Sequence, residues 1–135
     1  MNDNYFIDSN ICVYLFDKNQ NKSFIAYQLV EEEPIVSTQV IAETVNVLIK
    51  KFKFSKNDAF DSAKYILSNT NLIAVSGNNL ESAFEISLKY GYSFYDSIII
   101  ASALESNCKI LYSEDFHHKQ KIENKLQIIN PFIKS

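Results

Sequence analysis

The sequence predicts an α/β domain: a three-layer fold with a central, mostly parallel sheet flanked by helices. Short runs of β-branched and aromatic residues alternate along the chain with longer stretches whose apolar residues recur at helical spacing. Gly and Pro number only 2 each among 135 residues, so long linkers are not expected and the chain reads as one domain, 1–135. Apolar residues make up 47% of it, enough for a real core at this length.

The elements follow in order. Tyr5, Phe6 and Ile7 form a strand-type run that ends in Asp8-Ser9-Asn10. Residues 11–16 are apolar and open a short helix, and the Asn-rich stretch 18–22 reads as a loop. Phe24, Ile25, Leu29 and Val30 recur at helical spacing, and Pro34 closes that helix because Pro disfavours helical geometry in the residue before it. Ile35-Val36 is a brief strand, after which Ser37 or Thr38 can cap a helix with the apolar stripe Ile41, Val45, Leu48 and Phe52. Ser55 can cap another, faced by Phe60, Ala63 and Leu67. Residues 72–75 read as a strand and Gly77 as the turn after it. Leu80, Ala83, Phe84 and Leu88 mark the next helix, with Gly91 as its C-terminal cap. Ser93 opens a helix running to about Ser106, and its Ile98-Ile99-Ile100-Ala101 segment is apolar nearly all round, as in a buried helix. Residues 109–112 form a strand, 113–125 are polar without a clear period, and 126–129 form a last strand ended by Pro131.

Composition bounds the function. The net charge of −3 argues weakly against a nucleic-acid partner, although divalent cations in an acidic site would supply positive charge locally. Every basic residue is Lys, so the bidentate guanidinium grip on phosphate is missing. Cys12 and Cys108 stand alone, which supports neither a zinc site nor a disulfide and suggests buried thiols. No apolar run approaches the ~20 residues of a membrane span, and no signal-type segment opens the sequence, so a cytoplasmic location is expected.

Asp8, Asp96 and Asp115 stand where a strand ends or a helix begins, and Glu43 lies about one and a half turns into its helix. Ligand sites of parallel sheets lie at the carboxyl ends of the strands, so the four acids can meet in one cleft. Each has a plainer reading. Asp8 can cap a helix, Ser93 and Asp96 have capping-box spacing, Asp115 suits a turn, and Glu43 suits a solvated helix face. A carboxylate cluster is what Mg²⁺ or Mn²⁺ prefers, and such an ion activates water and neutralises a phosphodiester. Without it, mutual repulsion should raise the pKa of one or more of the acids.

Other chemistries lack their residues. There is no GxxxxGK[ST] loop, no GxGxxG turn and no GxSxG elbow. His117 and His118 are adjacent and read as surface residues rather than an acid/base pair. An aspartyl-phosphate chemistry at Asp8 would want a second Asp where Asn10 stands. Lys50, Lys51, Lys53 and Lys56 form one small basic stretch, and His117, His118, Lys119, Lys121 and Lys125 another. Either is a candidate RNA contact or an ordinary solvated face.

Five segments, in order, carry a family resemblance: Phe6-Ile7-Asp8-Ser9-Asn10, Val40-Ile41-Ala42-Glu43-Thr44-Val45, the run from Ser93-Phe94-Tyr95-Asp96 to Ala103, Leu111-Tyr112-Ser113-Glu114-Asp115-Phe116, and Ile128-Ile129-Asn130-Pro131-Phe132. Together they resemble the PIN domain family, and the last resembles the closing strand of its VapC-type toxins. The resemblance implies a PIN fold and Mg²⁺- or Mn²⁺-dependent RNA cleavage by a metal-activated water, leaving 5′-phosphate and 3′-hydroxyl ends. It implies Asp8, Glu43, Asp96 and Asp115 as catalytic, metal-binding acids, with Asn10 and Ser113 as hydrogen-bonding support. Glu114 is a rival for the place of Asp115. It also implies a toxin with a cognate antitoxin and a homodimeric state. The absence of Arg departs from many relatives, and it motivates an alternative: a non-catalytic PIN-fold module that binds RNA or a protein partner.

Overall fold

The computed structural model describes residues 4–133, so the outermost ends of the expected 1–135 domain lie outside the described residues. Six strands form one sheet in the order β3-β2-β1-β4-β6-β5. They are β1 (Tyr5–Ile7), β2 (Ile35–Ser37), β3 (Asn71–Ile73), β4 (Ile110–Tyr112), β5 (Lys121–Ile122) and β6 (Leu126–Ile129). All neighbours pair parallel except β5, which runs antiparallel to β6. The helices are α1 (Ser9–Tyr14), α2 (Gln20–Glu31), α3 (Thr38–Lys50), α4 (Lys56–Asn69), α5 (Gly77–Tyr90) and α6 (Phe94–Glu105). The mostly parallel sheet flanked by helices is the fold class expected from the sequence.

Several expected boundaries move, and three of the changes have a local reason. Gln20, Asn21 and Lys22 belong to α2, because the Asn19 side chain accepts from the Lys22 N–H and caps the helix early. Gly77 is the first residue of α5 rather than a turn, since Ser76 and Asn79 form a reciprocal capping box around it. The polar stretch before β6 contains β5, a two-residue strand too short to carry a periodic signal. Gly91, at φ 81°, is the left-handed cap expected for α5.

The buried faces of the outer helices differ from the expected stripes. In α3 the inward residues are Val40, Thr44 and Leu48, while Ile41 and Val45 are only partly covered. The Thr44 hydroxyl is satisfied by the Val40 carbonyl at 2.7 Å. In α4 the core side is Ala59, Ala63 and Ile66, leaving Phe60 and Leu67 outside. In α5 it is Asn79, Ala83 and Ile86, and Leu88 is 89% exposed. Alanines share the inward faces of these two helices with Ile66, Asn79 and Ile86, while Phe60, Leu67, Phe84 and Leu88 are left at the surface. By contrast α6 is buried from Ser97 to Ala103, as its sequence predicts. Cys12 and Cys108 are buried free thiols. Among the described residues no helix is long and apolar enough to cross a membrane.

This topology sets the place of a site. The chain winds from β1 to β2 and β3 on one side, then crosses to β4 on the other side of β1. Strand order therefore reverses between β1 and β4, and the crevice beyond their carboxyl ends is where open α/β sheets bind ligands. Asp8 follows β1 and Ser113 follows β4, with Ile7 in register with Tyr112.

Candidate active site

Asp8 sits at the centre of that crevice and is only 5% exposed. One carboxylate oxygen accepts from the Ser9 N–H at 2.7 Å, which caps α1. The other accepts from the Ser113 hydroxyl at 2.8 Å, across the β1–β4 seam. Burial pushes the Asp8 pKa from the ordinary 3.8 up to about 7. The bonds from Ser113 and Ser9 oppose that rise, and the nearby charges of Glu43 and Asp115 add to it. The Asp8 carboxylate caps α1 and lies in the crevice at once, so the two readings of the sequence do not exclude each other.

Asn10 ties the two loops together. Its Nδ2 donates to Asp115 Oδ2 at 3.1 Å and to Ser113 Oγ at 3.3 Å, and its Oδ1 accepts from the Glu114 N–H at 3.2 Å. The turn after β4 is thereby fixed with Asp115 toward the crevice. Glu114 goes the other way. Its carboxylate meets Lys22 Nζ at 2.7 Å and the Tyr14 hydroxyl at 2.5 Å. Burial alone would raise the Glu114 pKa, but Lys22 and Tyr14 outweigh it and hold this acid below its usual range.

Glu43 and Asp96 approach from α3 and α6. Burial raises the pKa of both. For Glu43, hydrogen bonds from Gln39 and Ser9 oppose the rise, and the charges of Asp96 and Asp115 reinforce it. For Asp96, the Ser93 hydroxyl opposes it and Asp115 reinforces it. Ser93 Oγ also accepts the Asp96 N–H at 3.2 Å, so Ser93 caps α6 while the Asp96 carboxylate serves the crevice. The four acids thus feel one another electrostatically although they come from four separate segments.

Residue types that sequence reasoning passed over complete the shell. Gln39 Nε2 donates to Glu43 Oε2 at 3.2 Å and to the Tyr95 carbonyl at 3.0 Å, tying the Glu43 helix to the residue before Asp96. Its position one turn before Glu43 was the available signal. Lys22 and Tyr14 carried no signal, because their partner is some ninety residues away in the chain.

The expected basic contacts separate. Lys51 lines a cleft beside the acids, and Lys50 and Lys53 do not. The surface reading of the histidines fails for His118. Its Nδ1 accepts the Asn130 N–H at 3.0 Å and its Nε2 is buried, so it holds the end of β6 in place. His117 is exposed and its ring lies 5.6 Å from that of Tyr92. Lys119 is exposed and adopts a positive φ of 70°, with its N–H on the Ile128 carbonyl.

The sequence pattern of the PIN domain family matches residues 5–123. The chain belongs to the PIN domain family. Solved structures share this PIN fold at low identity. A toxin–antitoxin complex from Klebsiella pneumoniae is 22% identical, with a TM-score of 0.70 over 95% of this chain and 98% of its own. VapC20 of Mycobacterium tuberculosis, a toxin that cleaves the sarcin-ricin loop, is 20% identical, with a TM-score of 0.68 over 82% and 89%. FitAcB from Neisseria gonorrhoeae is 16% identical, with a TM-score of 0.68 over 95% and 98%. No curated protein sequence matches the chain.

The donor set of this PIN crevice fits a hard divalent cation. It offers carboxylate, hydroxyl and amide oxygens, with no thiolate or imidazole turned into it. Among the described residues no three acidic, histidine or cysteine side chains are already gathered around a single point. That spread suits Mg²⁺, which takes one or two carboxylates and keeps several waters.

Proposed function

We propose that the chain is a metal-dependent endoribonuclease, the toxin of a toxin–antitoxin pair, acting in the cytoplasm as one PIN-like domain. The observation that carries this reading is the meeting of Asp8, Glu43, Asp96 and Asp115 at the β1–β4 switch point of a PIN fold. Bound Mg²⁺ or Mn²⁺ would supply an activated water and neutralise charge on the phosphodiester. Asp8 and Asp96 would hold it, with Glu43 and Asp115 on the flanks. Asn10 and Ser113 keep Asp8 and Asp115 oriented through the bonds described above. Glu114 is structural in this scheme, because Lys22 already neutralises it.

A cognate antitoxin and a second copy are the protein partners of this reading. Solved neighbours include toxin–antitoxin complexes, and exposed apolar side chains offer surface to such partners. Phe24 and Tyr27 lie on α2, and Phe84 and Leu88 on α5, all at least half exposed.

The direct test is to incubate purified, partner-free protein with total RNA and Mg²⁺ or Mn²⁺. Cleavage is expected, and EDTA, Asp96→Asn or Asp115→Asn should abolish it, while Glu114→Gln keeps most of it. Cleavage that survives EDTA, or RNA binding with no cleavage under any metal, would overturn the nuclease reading. The second outcome would favour the non-catalytic module. Gln39→Leu should weaken Mn²⁺ binding by about 10–100-fold, the usual cost of losing a residue that orients a metal ligand. Titration calorimetry reads that directly.

A further inference from the structure

A cavity of about 580 Å³ opens among Lys109, Lys121 and Lys125 at the amino ends of β4 and β6, the opposite end of the strands from the acids. A smaller cleft of about 220 Å³ adjoins the acids instead, between α1 and the C-terminal end of α3. It shares Ser9, Asn10 and Asp115 with the acidic crevice. Part of its wall is apolar, Val13 and Tyr14 from α1 with Val47 and Phe52 from the α3 side, and the rest is polar. Phe52 and Val47 are partly covered by the small core of Val13, Leu48 and Ala59, which holds them in place.

One cation enters this cleft. Lys51 is exposed at the end of α3 and has no ion-pair partner among the described residues. Glu114 also lines the cleft, but Lys22 and Tyr14 already bind its carboxylate. Gln39, Glu43, Val47 and Lys51 are spaced by four, so they form one row along α3. Glu43 and Lys51 are then separated by roughly 12 Å along the axis, with apolar Val47 between them. The row therefore reads acid, apolar wall, cation. An aromatic or apolar face beside a basic group is how proteins hold unpaired nucleotides. The volume is below the range of pockets for drug-sized ligands, which suits a single base and excludes a base pair.

We propose that this cleft seats one unpaired nucleotide of the RNA, next to the phosphodiester at the acids. Lys51 takes its phosphate, and Phe52 and Val47 take the face of its base. The proposal rests on the nuclease reading above and names a subsite of it.

The test measures binding of an end-labelled, random-sequence single-stranded RNA pool to full-length Asp96→Asn protein with Mn²⁺, across a salt series. Adding Lys51→Ala should weaken binding several-fold and reduce the slope of log affinity against log salt by about 0.7, the value of one phosphate contact on a single strand. Lys51→Arg should restore both, and Lys64→Ala on α4 should change neither. Phe52→Leu should weaken binding without changing the slope. The subsite is overturned if Lys51→Ala leaves affinity and slope intact in a protein whose parent cleaves RNA. It is also overturned if Lys51→Ala weakens only the binding of a protein partner. If the parent neither binds nor cleaves RNA, the nuclease reading and the subsite fall together.

Discussion

In metal-free protein at about pH 8, Asp8→Asn is expected to raise thermal stability, and near pH 4 to leave it equal or slightly lower. The cause is the burial that lifts the Asp8 pKa from 3.8 to about 7. Between those values the folded state keeps a proton that the unfolded chain has released, so stability falls as pH rises. The contribution is complete below about pH 4 and gone above about pH 7. Its size is of the order of 4 kcal/mol, from about three pH units at about 1.4 kcal/mol each. Glu43 and Asp96 are shifted in the same direction and steepen the same decline. Asn at position 8 removes the titration. It can still accept the Ser9 N–H, but the Ser113 hydroxyl loses a carboxylate acceptor, which costs about 1 kcal/mol.

Melting curves in EDTA from about pH 4 to pH 9 read the effect, and a variant whose decline matches the parent's would refute it. Metal supplies the second half of the test. At 100 times its dissociation constant Mn²⁺ should stabilise the parent by about 2.7 kcal/mol, and the variant should gain little. RNA cleavage should fall by roughly a thousandfold, as expected when several kcal/mol of transition-state charge stabilisation are lost. A helix cap alone would leave stability nearly unchanged at every pH, since Asn caps a helix about as well as Asp.

The largest stability loss is expected from Ile100→Ala in α6. Ile100 is fully buried in the helix that presents Asp96, with Ile99 and Leu111 also buried in the same core. Removing it should cost about 2–5 kcal/mol through lost burial and the cavity left behind. For a domain of this size that lowers Tm by roughly 7–18 °C. Leu88→Gln is the contrast. Leu88 belongs to the apolar pattern that the sequence suggests for α5, yet at 89% exposure its loss should change stability by no more than about 0.5 kcal/mol. A large loss at Leu88 in the isolated chain would mean that a second copy covers it. The concentration dependence of Tm would then show it.

These two leucine-type expectations mark where sequence pattern stops being informative. Periodicity shows that a helix has an apolar face, but it does not say what meets that face. The interior takes Ala59, Ala63 and Ala83 and leaves Phe60, Phe84 and Leu88 outside. In α6 no such ambiguity exists, because a helix apolar on every side has only one place to go.

By itself, the amino-acid sequence determined the alternation of strands and helices, the caps at Ser55 and Ser93 and at Ser37 or Thr38, the left-handed turn at Gly91, and the four acids as candidates. These are local properties, set by residues within a turn of one another. The different surroundings of Asp115 and Glu114 belong to the tertiary structure alone. Lys22 and Tyr14 approach from α2 and α1, respectively, to hold Glu114, while Asn10 bonds Asp115 beside the crevice. Adjacent carboxylates look alike in sequence, and only groups brought in from distant segments give them different surroundings. The same holds for Lys51, which stands out from Lys50 and Lys53 because α1 closes a cleft beside it.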